Sequence, residues 1–142
     1  MEMTGANRDR SPLTPRVEFA GSVEDAVRDA DLIVDCVPDE LESKLEIFSL
    51  LDRMAPPRSI LATPTRALSI ADLASCTYRA ERCVALELAQ GFLTDGEVPS
   101  QATIVYTSRT LPEVLDAVTD FGKRIGLEMD SRTDPSEIGS PA

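Results

Sequence analysis

Histidine is absent from these 142 residues. That excludes every catalytic arrangement built on imidazole, the serine–histidine–aspartate triad included, and it weakens any case for a metal centre. Tryptophan is absent as well, and aromatic residues make up only 4% of the chain. The cysteines are few and odd in number; Cys36, Cys76 and Cys83 match no metal-ligand spacing. They read as reduced, largely structural thiols, as expected in a cytoplasm. No two of the seven glycines are separated by a single residue, so the G-x-G-x-x-G turn that cradles a pyrophosphate does not occur. No apolar run approaches the roughly 18 residues needed to cross a bilayer. The opening MEMTGANRDRSPLTPR lacks the apolar middle of a secretory signal.

What is present is an ordinary apolar fraction of 42% and a formal net charge of -11. The length fits one domain with a real core. The acidic balance argues against nucleic acid and against a membrane as partners. Residues 1–15 are polar, carry Pro12 and Pro15, and read as a flexible N-terminal tail; residues 131–142, SRTDPSEIGSPA, read as a C-terminal tail.

Between the tails two periodicities alternate. Residues 16–20 predict a short strand with Val17 and Phe19 on one face. Ser22 caps a short helix ending near Ala30. Residues 32–37, LIVDCV, are too short and too β-branched for a helix and predict a buried strand. Residues 40–54 place Leu41, Leu45, Phe48 and Leu51 on one helix face, and Pro56-Pro57 ends it. Strands follow at 59–62, 84–88, 103–106 and 127–129. Ser69 opens one further helix, and Thr110 caps another that Gly126 stops. Units of about thirty residues, strand then helix, predict a three-layer α/β domain with a mostly parallel sheet over residues 16–130. Ligands of such sheets collect at the carboxyl ends of the strands. Asp39 and Lys44 lie just past one such end.

The succession DADLIVDCVPDELESKLEIFSLLDRMAPPRSILATPTRALSIADLAS resembles the later half of the NAD-binding domain of the 3-hydroxyacyl-CoA dehydrogenases. The carriers are Asp39, Lys44 five residues on, Thr63-Pro64-Thr65-Arg66 where that family shows S-N-T-S, and Leu68-Ser69-Ile70. The likeness continues through RAERCVALELAQGF and TLPEVLDAVTDFGKRIG, covering residues 16–130. It implies a Rossmann-like domain truncated by the loss of its first strand, glycine loop and helix. It also implies a link to fatty acid metabolism. By the resemblance, Asp39 and Lys44 approach the nicotinamide-side ribose of NAD; an ion pair on the helix's first turn is the plain alternative.

Several departures are equally specific. Glu87 stands where the family has its catalytic histidine, Thr103 where it has the orienting glutamate, and Arg66 where it has a substrate-contacting serine. No catalytic residue and no metal ligand is therefore expected, and NAD enters by resemblance only, with no high affinity. Glu87 replaces imidazole only if burial raises its pKa by several units; a paired or solvent-reaching acid is the simpler expectation. Arg66 beside Thr63 and Thr65 reads as an anion holder or as a solvated arginine.

Three readings of function follow. The chain is a catalytically inactive binding or assembly module, or a component of an NAD-dependent 3-hydroxyacyl-CoA oxidoreductase completed by a partner chain, or a gene fragment. Without a first strand, residues 32–37 expose a sheet edge. Residues 16–20 would move inward to cover it, combined with a homodimer, or a partner chain would pair there.

Overall fold

The computed structural model describes residues 16–89 and 100–138; the expected tail of residues 1–15 lies outside them. The chain runs through α1 (Val23–Val27), β1 (Leu32–Val34), α2 (Leu41–Met54), β2 (Ile60–Pro64) and α3 (Ile70–Ala74). After a 3₁₀ turn at Ala80–Arg82 come β3 (Cys83–Leu88), β4 (Gln101–Tyr106), α4 (Pro112–Arg124), β5 (Glu128–Thr133) and α5 (Pro135–Ile138).

The strands form one sheet in the order β1-β2-β3-β4-β5. Pairing is parallel for β1–β2, β2–β3 and β4–β5, and antiparallel only for β3–β4. The expected α/β, mostly parallel architecture is the one observed. Helices cover both faces because the strands are apolar on both. Phe48 and Leu51 of α2 and Ile70 and Leu73 of α3 pack on Leu61, Cys83 and Ala85. On the other face Val114 and Val118 of α4 meet Ile60, Ala62, Val84 and Ile104.

Local chemistry sets the helix limits. Ser22 accepts from the Asp25 N–H at 3.1 Å, and Ser69 from that of Asp72 at 3.3 Å, so both expected caps form. Gly126, at φ +93°, takes the left-handed turn after α4. Thr110 does not cap that helix: Leu111 occupies the cap position and Pro112 the first turn. The Thr110 hydroxyl oxygen instead accepts the Thr107 N–H at 3.0 Å, closing the turn before the helix.

Three further expectations are corrected. β1 ends at Val34 rather than at residue 37, because the Asp35 carboxylate accepts the Val37 N–H at 3.2 Å and turns the chain. Residues 16–20 form no strand and stay exposed, with Val17 77% and Phe19 97% accessible. The segment's connection to β1 runs through the five-residue helix α1, which leaves it off that edge. The C-terminal tail begins later than residue 131, since β5 runs to Thr133 and α5 follows. A polar edge strand such as EMDSRT carries no apolar alternation to announce it.

β1 is thus an edge. The Ile60 N–H donates to Asp31 O at 2.9 Å and the Asp35 N–H to Ala62 O at 3.3 Å. By strand alternation, residues 31, 33 and 35 face β2, while the N–H and C=O groups of Leu32 and Val34 point outward. Among the described residues, no strand pairs with that outer edge.

Candidate functional site

At the carboxyl ends of β1, β2 and β3 lies a cleft of about 270 Å³, lined among others by Asp35, Asp39, Lys44, Thr65 and Arg66. Lys44, in the first turns of α2, is 1% exposed. Its ammonium donates to Asp35 Oδ1 at 2.8 Å, and both side chains are almost wholly buried. Asp35 reaches it because it shares a sheet face with Ile33, the face that α2 covers. Asp39 is held elsewhere. It accepts the Thr65 hydroxyl at 2.5 Å and the Arg66 N–H at 3.0 Å, stapling the approach to α2 onto the end of β2. Asp39 and Lys44 therefore line one cleft, but the first-turn pair between them that stood as the plain alternative does not form, and Lys44 pairs with Asp35 instead. The clue in the sequence was an acid at an inward position of an apolar strand, nine residues before the lysine.

The satisfaction of this cluster is incomplete. Asp35 Oδ2 and Thr63 Oγ1 are buried and have no hydrogen-bond partner. They stand on adjacent strands, one position beyond the Val34–Ala62 register pair. A buried carboxylate oxygen without a donor is costly, so the cleft is chemically suited to a donor such as a ligand hydroxyl. It does not suit a pyrophosphate. Lys44 is neutralised by Asp35, and the Arg66 guanidinium donates to the carbonyls of Leu88 and Ala89 at 3.2 and 3.4 Å. Asp39 and Glu40 crowd the start of α2, where Glu40 makes no capping hydrogen bond. These carboxylates offset the dipole that would otherwise attract an anion. The described residues fit the ribose end of a dinucleotide and not its phosphates.

A second cleft, of about 260 Å³, opens beside the first between β3, β5 and the start of α3. Here Glu87 Oε2 meets the Arg132 guanidinium at 3.0 Å, with both side chains about 40% exposed. Glu87 faces Thr103 directly across the β3–β4 ladder. The acid at the histidine-like position is paired and solvated, which is the simpler of the two expectations. Asp134, buried at 2% exposure, closes the floor. Burial pushes its carboxyl up, but the N–H groups of Ala71 and Ser136 and the hydroxyls of Ser69 and Ser136 outweigh that and hold it below the usual aspartate range. It clamps the C-terminal segment onto the first turn of α3.

The cysteines divide by position. Cys83 is fully buried, and burial leads the causes that push its thiol up to about 12, so it is no nucleophile at neutral pH. Cys76 is half-buried and donates to Leu73 O at 3.0 Å, whereas Cys36 is exposed on the rim of the first cleft. No group of three or more acidic, cysteine or histidine side chains able to hold a metal exists among the described residues. No helix among them is long and apolar enough to cross a membrane. Sequence reasoning missed Arg79. The residue is 6% exposed at the end of α2, and no periodicity marks a lone arginine in a loop.

Comparison with known proteins places this geometry. The 3-hydroxyacyl-CoA dehydrogenase, NAD binding domain family matches residues 2–129. The mitochondrial hydroxyacyl-coenzyme A dehydrogenase of Sus scrofa is 31% identical over 100 residues, 70% of this chain and 31% of that protein. An L-carnitine dehydrogenase of a Pseudomonas species is 30% identical over 112 residues, 79% of this chain and 34% of its own length. A diketoreductase structure superposes with a TM-score of 0.71 at 32% identity, covering 80% of this chain and 38% of that one. The (S)-3-hydroxybutyryl-CoA dehydrogenase of Ralstonia eutropha shares the fold at the same TM-score of 0.71 with 20% identity, over 80% of this chain and 39% of that one. The chain spans about a third of the length of these curated relatives. With the model matching nearly its whole length, the chain belongs to the NAD-binding domain family of the 3-hydroxyacyl-CoA dehydrogenases.

Proposed function

We propose that this chain is a binding or assembly module of the dehydrogenase family that does not catalyse hydride transfer by itself. The observation that supports this reading most is the Glu87–Arg132 pair. Oxidising a 3-hydroxyacyl thioester needs a base with a pKa near the operating pH to take the hydroxyl proton. The Glu87 carboxylate is solvated and already engaged by a guanidinium, and Thr103 opposite it supplies no second carboxylate to orient it. Removing a positioned base costs about two to four decades of rate. Electrostatics at the first cleft oppose the phosphates of NAD, so cofactor affinity is low as well.

Stopped and steady-state assays of the purified chain with NADH and acetoacetyl-CoA test the reading directly. No turnover above the uncatalysed rate is expected, and NADH fluorescence is expected to show no saturation at low micromolar concentration. Turnover by the chain alone would overturn it.

A second reading is favoured by the unpartnered Asp35 Oδ2. A partner chain carrying a G-x-G-x-x-G turn would hold the phosphates while this chain supplies the ribose end of an NAD-dependent 3-hydroxyacyl-CoA oxidoreductase. Activity appearing only on mixing the two chains would favour it over the first.

A further inference from the structure

The described residues carry both halves of an unmade strand pairing. One half is the outer edge of β1, where Leu32 and Val34 aim their backbone groups away from β2. Val34 is 37% exposed. Two grooves reach this end of the sheet. On the α4 side one of about 320 Å³ is lined by Leu32, Ala117 and Phe121, with Asp31, Asp120 and Arg124 around it. On the α2 side one of about 380 Å³ is lined by Val37, Ile47 and Leu50, with Glu46 and Arg53 around it.

The other half is residues 16–20, RVEFA. In this segment residues 16–19 alternate with period two, Val17 and Phe19 apolar and Arg16 and Glu18 charged and paired at 3.4 Å. It is unpaired, and Phe19 is the more exposed of its two apolar residues at 97%. An almost bare phenylalanine in a β-patterned segment and a bare strand edge are complementary deficits.

We propose that two copies of this chain exchange these halves, residues 16–20 of each adding as a strand to the β1 edge of the other. The pairing is reciprocal and therefore closes as a symmetric dimer. Val17 and Phe19 enter one groove, while Arg16 and Glu18 lie over the charged rim of the other, where an acid and an arginine are already present on either side. Within one molecule the segment is tethered to β1 through the five-residue helix α1 and stays off that edge, whereas a segment arriving from the partner carries no such tether. The interface is small, and each chain carries a formal charge of -11, so the dimer is of micromolar strength and tightens as salt screens the repulsion. This interface does not depend on whether the first cleft binds a nucleotide.

Sedimentation of the full chain up to about 100 μM tests it. The wild type is expected to reach twice its 15.4 kDa mass. Phe19→Asp removes the donor at a residue that contributes nothing to the fold. Val34→Pro removes an outward N–H, a position where an edge strand tolerates proline. Each is expected to raise the dissociation constant at least about tenfold, with far-UV circular dichroism unchanged. Mixing the two variants rebuilds one of the two pairings, because the first keeps an intact edge and the second an intact segment. A mixed dimer tighter than either variant alone and weaker than the wild type is therefore expected. A wild type that stays monomeric overturns the proposal, and so does a dimer indifferent to both substitutions.

Discussion

Among the described residues two ion pairs are buried, and they are finished to different degrees. Arg79 donates from Nε to Asp52 Oδ1 at 2.8 Å, and from its other nitrogens to the carbonyls of Pro56, Ser59, Asp52 and Ala55 at 2.7 to 3.2 Å. The remaining Asp52 oxygen accepts the Tyr78 N–H at 2.9 Å. The guanidinium's donors and both carboxylate oxygens have partners, and the last carbonyls of α2 are capped in the process. Lys44 and Asp35 are equally dry, yet one carboxylate oxygen has no donor and the pair borders a cleft. Burial of charge alone does not separate framework from site; completeness of hydrogen bonding does.

Breaking the finished pair has the largest expected effect. Arg79→Ala is expected to cost about 3–5 kcal/mol in urea unfolding, since it leaves Asp52 charged and several carbonyls bare. Lys44→Met alone should cost about 3 kcal/mol by stranding Asp35. The double variant Lys44→Met/Asp35→Asn should recover part of that loss, because both charges then leave together. The corresponding double at Arg79 and Asp52 should recover less, as the carbonyls of α2 stay uncapped. Equal recovery at the two pairs would erase the distinction between them.

Asp134 lies between these extremes and adds a pH dependence. Its pKa is lowered in the folded state, so its contribution is present above the ordinary aspartate value. That contribution is lost as pH falls through the depressed native value. Asp134→Asn is expected to cost about 1–2 kcal/mol at neutral pH, through weaker capping of α3. It should also flatten the acid limb of a stability profile below about pH 4. An unchanged acid limb would remove Asp134 from the account. The smallest effect is on labelling. At pH 8 a thiol near 12 is ~10⁻⁴ ionised. Alkylation read by mass spectrometry should thus modify Cys36 first and Cys83 only after unfolding.

Much of the fold was legible because its signals are local. Ser22, Ser69 and Gly126 act at the positions that their chemistry prescribes, and the apolar spacing of α2 needs no tertiary knowledge. The misses share a cause. Residues 16–20 have a strand's pattern, but pattern does not say whether an edge is worth pairing with. β5 is polar because it is itself an edge, so its alternation is silent. At the site, Asp39 and Lys44 were placed at the correct end of the sheet, while the true partner of Lys44 sits one strand turn earlier. That pairing depends on which face α2 covers, and covering is a property of the packed sheet. Arg79 depends on the path of a loop and left no trace in the sequence.

The seclusion of Lys44 has a practical corollary. The chain has only two lysines, Lys44 and Lys123, and the second is exposed near the end of α4. Amine-directed coupling of the native protein therefore has one side-chain address among them, so a dye or surface tether attached through a lysine lands on α4.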